Sequence, residues 1–442
     1  MDSSKLIDTN PANETERAVL VKLITPANAS SVDARNPLGE LKMLAEAAGA
    51  EVVDGLLQKR MKESTRTHIG KGKVEELTEK CEASEANLVI FDDELTPAQI
   101  RTLEKATNRR VIDRSELILD IFASRARTRE ARLQVEIAQL EYTSPRLRGM
   151  WTHLERIAGA GGGGQAGSVG GIGTRGPGER QIEVDRRIVR DRLTFLRKQI
   201  QQIDDRKTRA VKSRSDQFTI SLVGYTNAGK STLMNALTDA GQDARDMLFA
   251  TLDTKTVRWD VTPSQYALIS DTVGFVRNLP HKLVASFKAT LEEAIHADLL
   301  FHVVDASSKD AMRQVMVVKE VLEELGCGDR DALVLLNKID QATDLGMVDV
   351  LEEKHAPAFR ISAKNGNGLA EVADYIVKRM SSQRVDATVR LGASEGKLLN
   401  LLTQHAEIHE QTYDENMVTL ELTADRTWLA QLQSRYPSLE TI

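Results

Sequence analysis

The chain has 442 residues, of which 41% are hydrophobic, so it is long enough for about two to four domains with buried cores. Its two cysteines, Cys81 and Cys327, lie far apart and outside any metal-ligand spacing, which excludes a disulfide framework and favours a reducing cytosol. There is neither an N-terminal apolar segment of signal length nor a run of about 18 apolar residues, so we expect a cytoplasmic protein without an integral membrane segment.

The net charge of −6 conceals a strongly basic middle region. Residues 101–214 contain 25 Lys and Arg against 14 Asp and Glu, whereas the rest of the chain has 34 against 51. A cationic region inside an acidic protein suits a partner with a phosphate backbone. Solvated helix faces are the alternative explanation of the same charge.

The chain begins with a polar tail, residues 1–15, that we expect to be disordered. Residues 16–122 then alternate apolar strand patterns with helix patterns, which predicts a small α/β domain with a parallel sheet. The predicted strands are 18–24, 51–53, 88–91 and 110–113, and the predicted helices are 38–48, 74–81 and one that follows Thr96 and Pro97. The basic segment from Gly70 to Lys73 predicts a turn that is structural or in contact with rRNA, and a loop without function is the alternative.

Residues 123–213 predict a long helical hairpin with a glycine-rich loop. Apolar side chains recur at heptad spacing on both sides of that loop, which predicts two helices packed antiparallel with the loop at their tip. The stripe residues are Leu133, Ile137 and Leu140 before the loop, and Val189, Leu193, Leu196, Ile200 and Ile203 after it.

The loop itself, residues 159–178, contains 11 glycines, a composition that sustains neither helix nor strand. A flexible linker is the ordinary interpretation. However, helices rather than separate domains flank it, and Arg175 and Arg180 lie at its C-terminal end. A mobile loop with few side chains and flanking arginines could order against RNA in a narrow space.

A phosphate-binding loop follows, and it is the most specific motif of the chain. Residues 224–232 read Gly-Tyr-Thr-Asn-Ala-Gly-Lys-Ser-Thr, between the strand pattern 218–223 and the helix pattern that starts at Leu233. This is the strand, loop and helix context that the motif G-x-x-x-x-G-K-[ST] requires. The loop N–H groups and the helix N-terminus bind phosphate oxygens, Lys230 supplies a cation, and Ser231 places a hydroxyl on Mg²⁺.

Motifs that follow the phosphate-binding loop predict recognition of guanine and of the γ-phosphate. The segment Asn337-Lys338-Ile339-Asp340 ends a buried strand pattern, and its Asp340 can accept hydrogen bonds from guanine N1–H and the exocyclic amine, a pair of donors that adenine lacks. Ser362, Ala363 and Lys364 suit the other side of the base. Asp271 ends another strand, where we expect it to reach Mg²⁺ through water and the Gly274 N–H to reach the γ-phosphate.

The motifs together resemble the HflX family of ribosome-associated GTPases. The resemblance rests on the glycine-rich loop continuing into Thr-Arg-Gly-Pro-Gly-Glu-Arg-Gln-Ile-Glu-Val-Asp-Arg-Arg (174–187), and on Asp-Thr-Val-Gly-Phe-Val-Arg-Asn-Leu-Pro-His (271–281). Segments 67–73 and 91–99 agree with the family's first domain. The match covers roughly residues 15–385 and leaves the last fifty or so without support.

The resemblance and the motifs give one expected set of site residues. The catalytic set is Lys230, Ser231, Thr251, Asp271 and Gly274, with Ser231 and Thr251 as Mg²⁺ ligands. The nucleotide-binding set is Gly224, Tyr225, Thr226, Asn227, Ala228, Gly229, Lys230, Ser231, Thr232, Phe249, Ala250, Thr251, Leu252, Asp253, Asp271, Thr272, Val273, Gly274, Asn337, Lys338, Asp340, Ser362, Ala363 and Lys364. Arg175, Arg180, Arg186 and Arg187 are the expected RNA contacts.

Two site residues bear on hydrolysis. Phe275 stands where GTPases of the Ras type carry a glutamine that orients water, so we expect slow intrinsic hydrolysis and activation by a partner. Asn227 resembles the asparagine of GTPases in which K⁺ bridges the phosphates, and an asparagine that merely tolerates the loop's backbone geometry is the alternative.

The fold expected is α/β and multidomain. It comprises the N-terminal α/β domain (16–122), the antiparallel hairpin (123–213), a P-loop GTPase domain with a mostly parallel sheet flanked by helices (214–385), and a small C-terminal α/β domain (386–442). In that last domain His405 and His409 lie four residues apart in a predicted helical region, and we interpret them as surface residues rather than metal ligands.

The function expected from the resemblance is a monomeric GTPase that binds GTP and GDP, docks on the large ribosomal subunit and its rRNA, and splits stalled 70S ribosomes. A GTP-regulated accessory of RNA modification or ribosome assembly is the alternative, and a switch that binds only protein partners is a third. Peripheral association with a membrane stays open, as does ATP binding by the N-terminal domain, although no Walker-type loop precedes Gly224.

Overall fold

The computed structural model describes residues 15–29, 35–146, 177–212, 217–238, 249, 255–263, 265–277, 292–414 and 416–441. The chain forms two compact units. The first consists of Met1–Asp204, Arg245–Asp253 and Val273–Leu291, and the second of Asp205–Ala244, Thr254–Thr272 and Glu292–Ile442. Mixed α/β architecture, expected from the sequence, is confirmed.

The first unit contains a parallel four-stranded sheet in the order β2-β1-β3-β4. Its strands are β1 (Arg17–Ile24), β2 (Glu51–Lys59), β3 (Leu88–Phe91) and β4 (Arg110–Asp113). Its helices are α1 (Gly39–Ala47), α2 (Lys71–Ala83), α3 (Pro97–Thr107), α4 (Arg114–Arg125) and α5 (Arg129–Thr143). Because β1 and β3 are buried on both faces, their side chains enter two cores, one shared with α1, α4 and α5 and the other with α2 and α3.

Local sequence signals explain where several of these helices begin. Thr96 and Gln99 form a capping box at α3, with Pro97 in the first turn, and Asp113 caps α4 through the Glu116 N–H. The turn predicted from Gly70 to Lys73 is wrong in part, because Gly70 is the N-cap of α2 and Lys71–Lys73 form its first turn. In the sequence, a glycine at this position indicates a turn, whereas in the structure Gly70 is only the N-cap residue of α2.

The predicted apolar stripes pack against each other. The long helix α6 (Pro177–Lys212) places Val189 and Leu196 in a cluster with Leu133, Ile137 and Leu140 of α5. The opposite face of α5 enters the core of the sheet domain through Ala131, Val135 and Ala138. Within the described part of the chain, no helix combines the length and the apolar character needed to span a bilayer.

The second unit contains a six-stranded sheet in the order β10-β9-β8-β5-β7-β6, in which only β6 runs antiparallel to its neighbour. Its strands are β5 (Thr219–Gly224), β6 (Lys255–Thr262), β7 (Gln265–Asp271), β8 (Leu299–Asp305), β9 (Ala332–Asn337) and β10 (Ala358–Arg360). Its helices are α7 (Lys230–Thr238), α8 (Glu292–His296), α9 (Ala311–Glu324), α10 (Leu345–Lys354) and α11 (Leu369–Gln383). The parallel strands β5, β7, β8 and β9 therefore bring their carboxyl ends to one edge, where the phosphate and guanine motifs lie.

The last part of the same unit is a βαββαβ arrangement with a core of its own. Its elements are β11 (Arg384–Gly392), α12 (Gly396–His405), β12 (Glu407–Asp414), β13 (Met417–Asp425), α13 (Arg426–Arg435) and β14 (Glu440–Thr441), and the antiparallel sheet order is β12-β13-β11-β14. The expectation that His405 and His409 share a helix is wrong, because α12 ends at His405 and His409 lies on β12. Among the described residues no group of His, Cys, Asp or Glu has the arrangement of a metal site.

One buried residue in the second unit gives the fold a pH dependence. His302 lies in the middle of β8 and is 3% exposed. Burial, together with the nearby His355, Lys319 and Lys230, lowers the pKa of His302 from 6.5 to about 3. The imidazole is therefore neutral in the folded protein at neutral pH.

We predict that this histidine destabilises the fold in mild acid. Because the unfolded chain binds the proton below a pKa of 6.5 and the folded chain only below about 3, stability is lost as the pH falls through that interval and is unaffected above it. The penalty approaches about 1.4 kcal/mol per pH unit. Urea unfolding of the protein and of His302→Leu at pH 7.5 and 5.5 measures it. The wild type should lose more stability than the variant, and equal losses would contradict the prediction.

Candidate functional site

The phosphate loop connects the end of β5 to the start of α7, and two of its glycines are required by close contacts. A Cβ at Gly224 would lie 2.3 Å from the Val303 carbonyl oxygen. A Cβ at Gly229, where φ is +95°, would lie 2.3 Å from Asn337 Nδ2. The loop can therefore fit against β8 and against the guanine motif only with glycine at both positions.

The cation of the loop is buried and held by the loop's own backbone. Lys230 Nζ donates hydrogen bonds to the carbonyl oxygens of Gly224, at 3.1 Å, and Tyr225, at 2.9 Å. Burial lowers the pKa of Lys230 to about 8, against the opposing effect of the Asp271 carboxylate. Because desolvation makes the ammonium costly in this position, a bound anion would stabilise it. Thr226, which lies in the same loop, is also buried.

Two of the residues expected around Mg²⁺, Ser231 and Asp271, come together at the end of β7. Ser231 Oγ donates a hydrogen bond to Asp271 Oδ2 at 2.6 Å, and Asp271 is fully buried. Thr272, which follows, is fixed by a hydrogen bond from its hydroxyl to the Leu222 carbonyl, at 2.6 Å. A hydroxyl and a carboxylate are ligands that suit a hard cation such as Mg²⁺, so the donor set fits that ion.

The guanine motif is tied to the phosphate loop by one side chain. The buried Asn337 donates from Nδ2 to the Ala228 carbonyl, at 2.9 Å, and accepts the Ala363 N–H at its Oδ1, also at 2.9 Å. The adjacent Lys338 and Asp340 lie on a short turn in which Lys338 has a φ of 61°. A hydrogen bond from the Ser362 hydroxyl is the main cause that lowers the pKa of Asp340, with Lys364 adding to it. The Asp340 carboxylate is therefore ionised and able to accept hydrogen bonds.

In the segment predicted to contact the γ-phosphate, the residues from Val273 to Arg277 belong to the first unit. Val273 and Val276 pack there in the core formed by α1, α4 and α5, together with Phe249. Phe249 has a φ of 55° and its ring meets that of Phe122 edge to face, 4.7 Å between centroids. Arg277 forms an ion pair with Glu40, which also pairs with Arg114. Sequence reasoning did not find these contacts, because the contacting residues lie more than seventy positions apart.

The other predicted residues have varied outcomes. Gly274 and Phe275 are buried, the latter 2% exposed, so the phenyl ring does not present itself to water. Asn227 has a φ of 62°, a conformation that asparagine tolerates, so backbone geometry is sufficient to explain it and the K⁺ role stays a prediction. Arg186 and Arg187 are exposed on α6. Arg175 and residues 250–253, including Thr251, lie outside the described residues, as does the side chain of Arg180.

Models of three protein families match consecutive parts of the chain. A model described as "GTP-binding GTPase N-terminal" matches residues 35–123, and one described as "GTP-binding GTPase Middle Region" matches residues 125–214. A third, described as "50S ribosome-binding GTPase", matches residues 219–338, which contain the phosphate loop and end at Lys338.

Curated proteins named GTPase HflX are similar over almost the whole length. The protein from Lacrimispora saccharolytica is 42% identical over 91% of this chain and 92% of its own. That from Escherichia coli K12 is 40% identical over 91% of both chains. Among solved structures, the complex of SsGBP with GDP covers 83% of this chain and 99% of its own at 23% identity, with a TM-score of 0.46.

We predict that Asp340 selects guanine. Changing Asp340→Asn replaces the carboxylate acceptor by an amide, so GTP affinity should fall by at least about thirtyfold, since two hydrogen bonds to a charged acceptor are lost. Xanthosine triphosphate, which offers a carbonyl where guanine has its amine, should bind the variant more tightly than the wild type. Calorimetry with both nucleotides tests the assignment, and unchanged GTP affinity would show that it is wrong.

Proposed function

The chain belongs to the HflX family of GTPases and hydrolyses GTP, and we propose that it uses this reaction at the large ribosomal subunit to separate stalled or idle 70S ribosomes into subunits. The observation that carries the proposal is the match of residues 219–338 to a model described as a 50S ribosome-binding GTPase. The basic middle region, residues 101–214, is the part of the chain whose charge suits rRNA.

The exposed charges of α6 support this partner. Arg186, Arg187 and Arg190 are exposed on that helix, while Arg192 and Arg197 form ion pairs with Glu136 and Glu141 of α5. The two ion pairs connect α5 and α6 at the surface, and Arg186, Arg187 and Arg190 are exposed where a phosphate backbone can reach them. Counterion release then provides much of the binding energy.

The chemistry of the reaction follows from the loop residues. Lys230 and the loop N–H groups would hold the β- and γ-phosphates, while Ser231 and Asp271 would hold Mg²⁺, directly and through water respectively. When bound, Mg²⁺ neutralises charge that develops on the phosphate oxygens. Because Phe275 cannot hydrogen-bond water, the chain itself lacks a water-orienting group at that position.

We predict that ribosomes stimulate hydrolysis. Large subunits or whole ribosomes should raise kcat by at least about tenfold, equivalent to roughly 1.4 kcal/mol of barrier, because the partner supplies the missing positioning. Phosphate release is measured with and without ribosomes at saturating GTP, Mg²⁺ and K⁺. Co-sedimentation with a non-hydrolysable GTP analogue establishes binding in parallel. Equal rates with and without ribosomes would refute partner activation, and binding to RNA but not to ribosomes would favour an RNA-modification accessory.

We also predict that the glycine-rich loop acts on the ribosome rather than on the nucleotide. Replacement of residues 161–173 by a short serine-rich linker should leave GTP affinity unchanged and slow subunit separation, followed by light scattering of 70S ribosomes. Arg175→Ala and Arg180→Ala should instead reduce the salt dependence of ribosome binding, because counterion release follows the charges. Arg435→Ala, the same change on the exposed end of α13, is the matched control. Separation at the wild-type rate after the swap would show that the loop is only a linker.

A further inference from the structure

An aspartate that the sequence motifs do not include lies beside the guanine motif. Asp305 is the last residue of β8 and Asn337 is the last of β9, and the two are register partners in this parallel pair. Lys338 follows Asn337 directly. Its Nζ lies 2.8 Å from Asp305 Oδ2, with the side chains 23% and 16% exposed, respectively.

The Asp305 carboxylate is held in this position from its other side. Its Oδ1 accepts the Ser307 N–H, at 3.0 Å, and the Ser307 hydroxyl, at 2.6 Å. One oxygen is thereby used by the local turn, and the other points to the lysine ammonium. An ion pair whose two members are mostly shielded from water is weakened less by salt than an exposed one.

This ion pair matters because a second carboxylate lies two residues from the lysine. Asp340 and Lys338 share a short turn, and the ionised Asp340 has its own partner, the Ser362 hydroxyl. An ammonium on a flexible four-carbon stem pairs readily with any carboxylate within reach. If Lys338 turned to Asp340, it would occupy the acceptor oxygens that the guanine donors need, and GTP would have to displace it.

We propose that Asp305 is a specificity-determining positioning residue of the guanine site, because it holds the Lys338 ammonium and so keeps the Asp340 carboxylate open to guanine. The proposal rests on the assignment of Asp340 to the base. It predicts that Asp305 acts on nucleotide binding, through Lys338, and has no part in the chemical step.

The test begins with Asp305→Asn, which preserves shape and removes the charge. The GDP and GTP dissociation constants should rise about tenfold, the loss expected when a hydrogen bond to a charged group meets an internal competitor. KM should rise in the same proportion and kcat at saturation should stay within about twofold. Asp305→Glu, which retains a carboxylate, should restore part of the affinity.

Two further variants separate this mechanism from a merely structural role. Asp310→Asn makes the same change five residues along the chain, at a half-buried aspartate paired with Arg313, and should leave GDP affinity unchanged. In a Lys338→Met background no ammonium remains to be held, so adding Asp305→Asn should cause no further loss of GDP affinity. Circular dichroism and the thermal midpoint of each variant show whether it is folded.

The outcomes are distinct. Wild-type GDP affinity in Asp305→Asn would overturn the proposal, and so would an equal loss in the presence and absence of the Lys338 ammonium, since Asp305 would then act on the strand end itself. Failure of Asp340→Asn to gain affinity for xanthosine diphosphate would instead remove the guanine assignment on which the proposal rests. That result is read from a different variant and a different nucleotide, so the two failures are not confused.

Discussion

The nucleotide site depends on one buried amide. Asn337 bonds to the phosphate loop through the Ala228 carbonyl, and to the segment Ser362 to Lys364 through the Ala363 N–H. Neither bond can be replaced by water at a residue that is 2% exposed, so loss of the side chain would leave a buried carbonyl and a buried N–H without partners. Asn337 also explains why residue 229 is a glycine, because any Cβ at Gly229 would collide with the Asn337 amide. A single side chain therefore links the phosphate loop directly to the segments predicted to bind the base.

The carboxyl ends of β5, β7, β8 and β9 explain how a small number of residues can form the candidate nucleotide site. Parallel strands end at one edge, so Gly224, Asp271, Asp305 and Asn337 come together although they are spread over more than a hundred positions of the chain. Each strand end then contributes a different chemical group. The loop amides and Lys230 would face the phosphates, Ser231 and Asp271 suit a cation, and Asp340 is the predicted acceptor for the base.

In the first unit, residues that are distant in the sequence pack in the same core. Phe249, Val273 and Val276 lie within the sequence range of the GTPase domain, yet their side chains pack in the core with α1, α4 and α5. A phenylalanine with positive φ is uncommon, and it persists where packing compensates for the backbone strain, here against Phe122. The Glu40 carboxylate, shared by Arg114 and Arg277, adds a charged contact to the same apolar cluster.

The sequence by itself predicted the residues of the nucleotide site and determined the type of most elements. The motif around Lys230, the Asp340 segment and the heptad spacing of Val189 and Leu196 each depend on neighbours close in the chain, and short-range patterns record such neighbours. The sequence did not show where Gly70 belongs, that His405 and His409 lie on different elements, or that Asp305 meets Lys338. Tertiary structure decided these, because a helix start, a strand pairing and an ion pair between strand ends depend on residues that come together only when the sheets form.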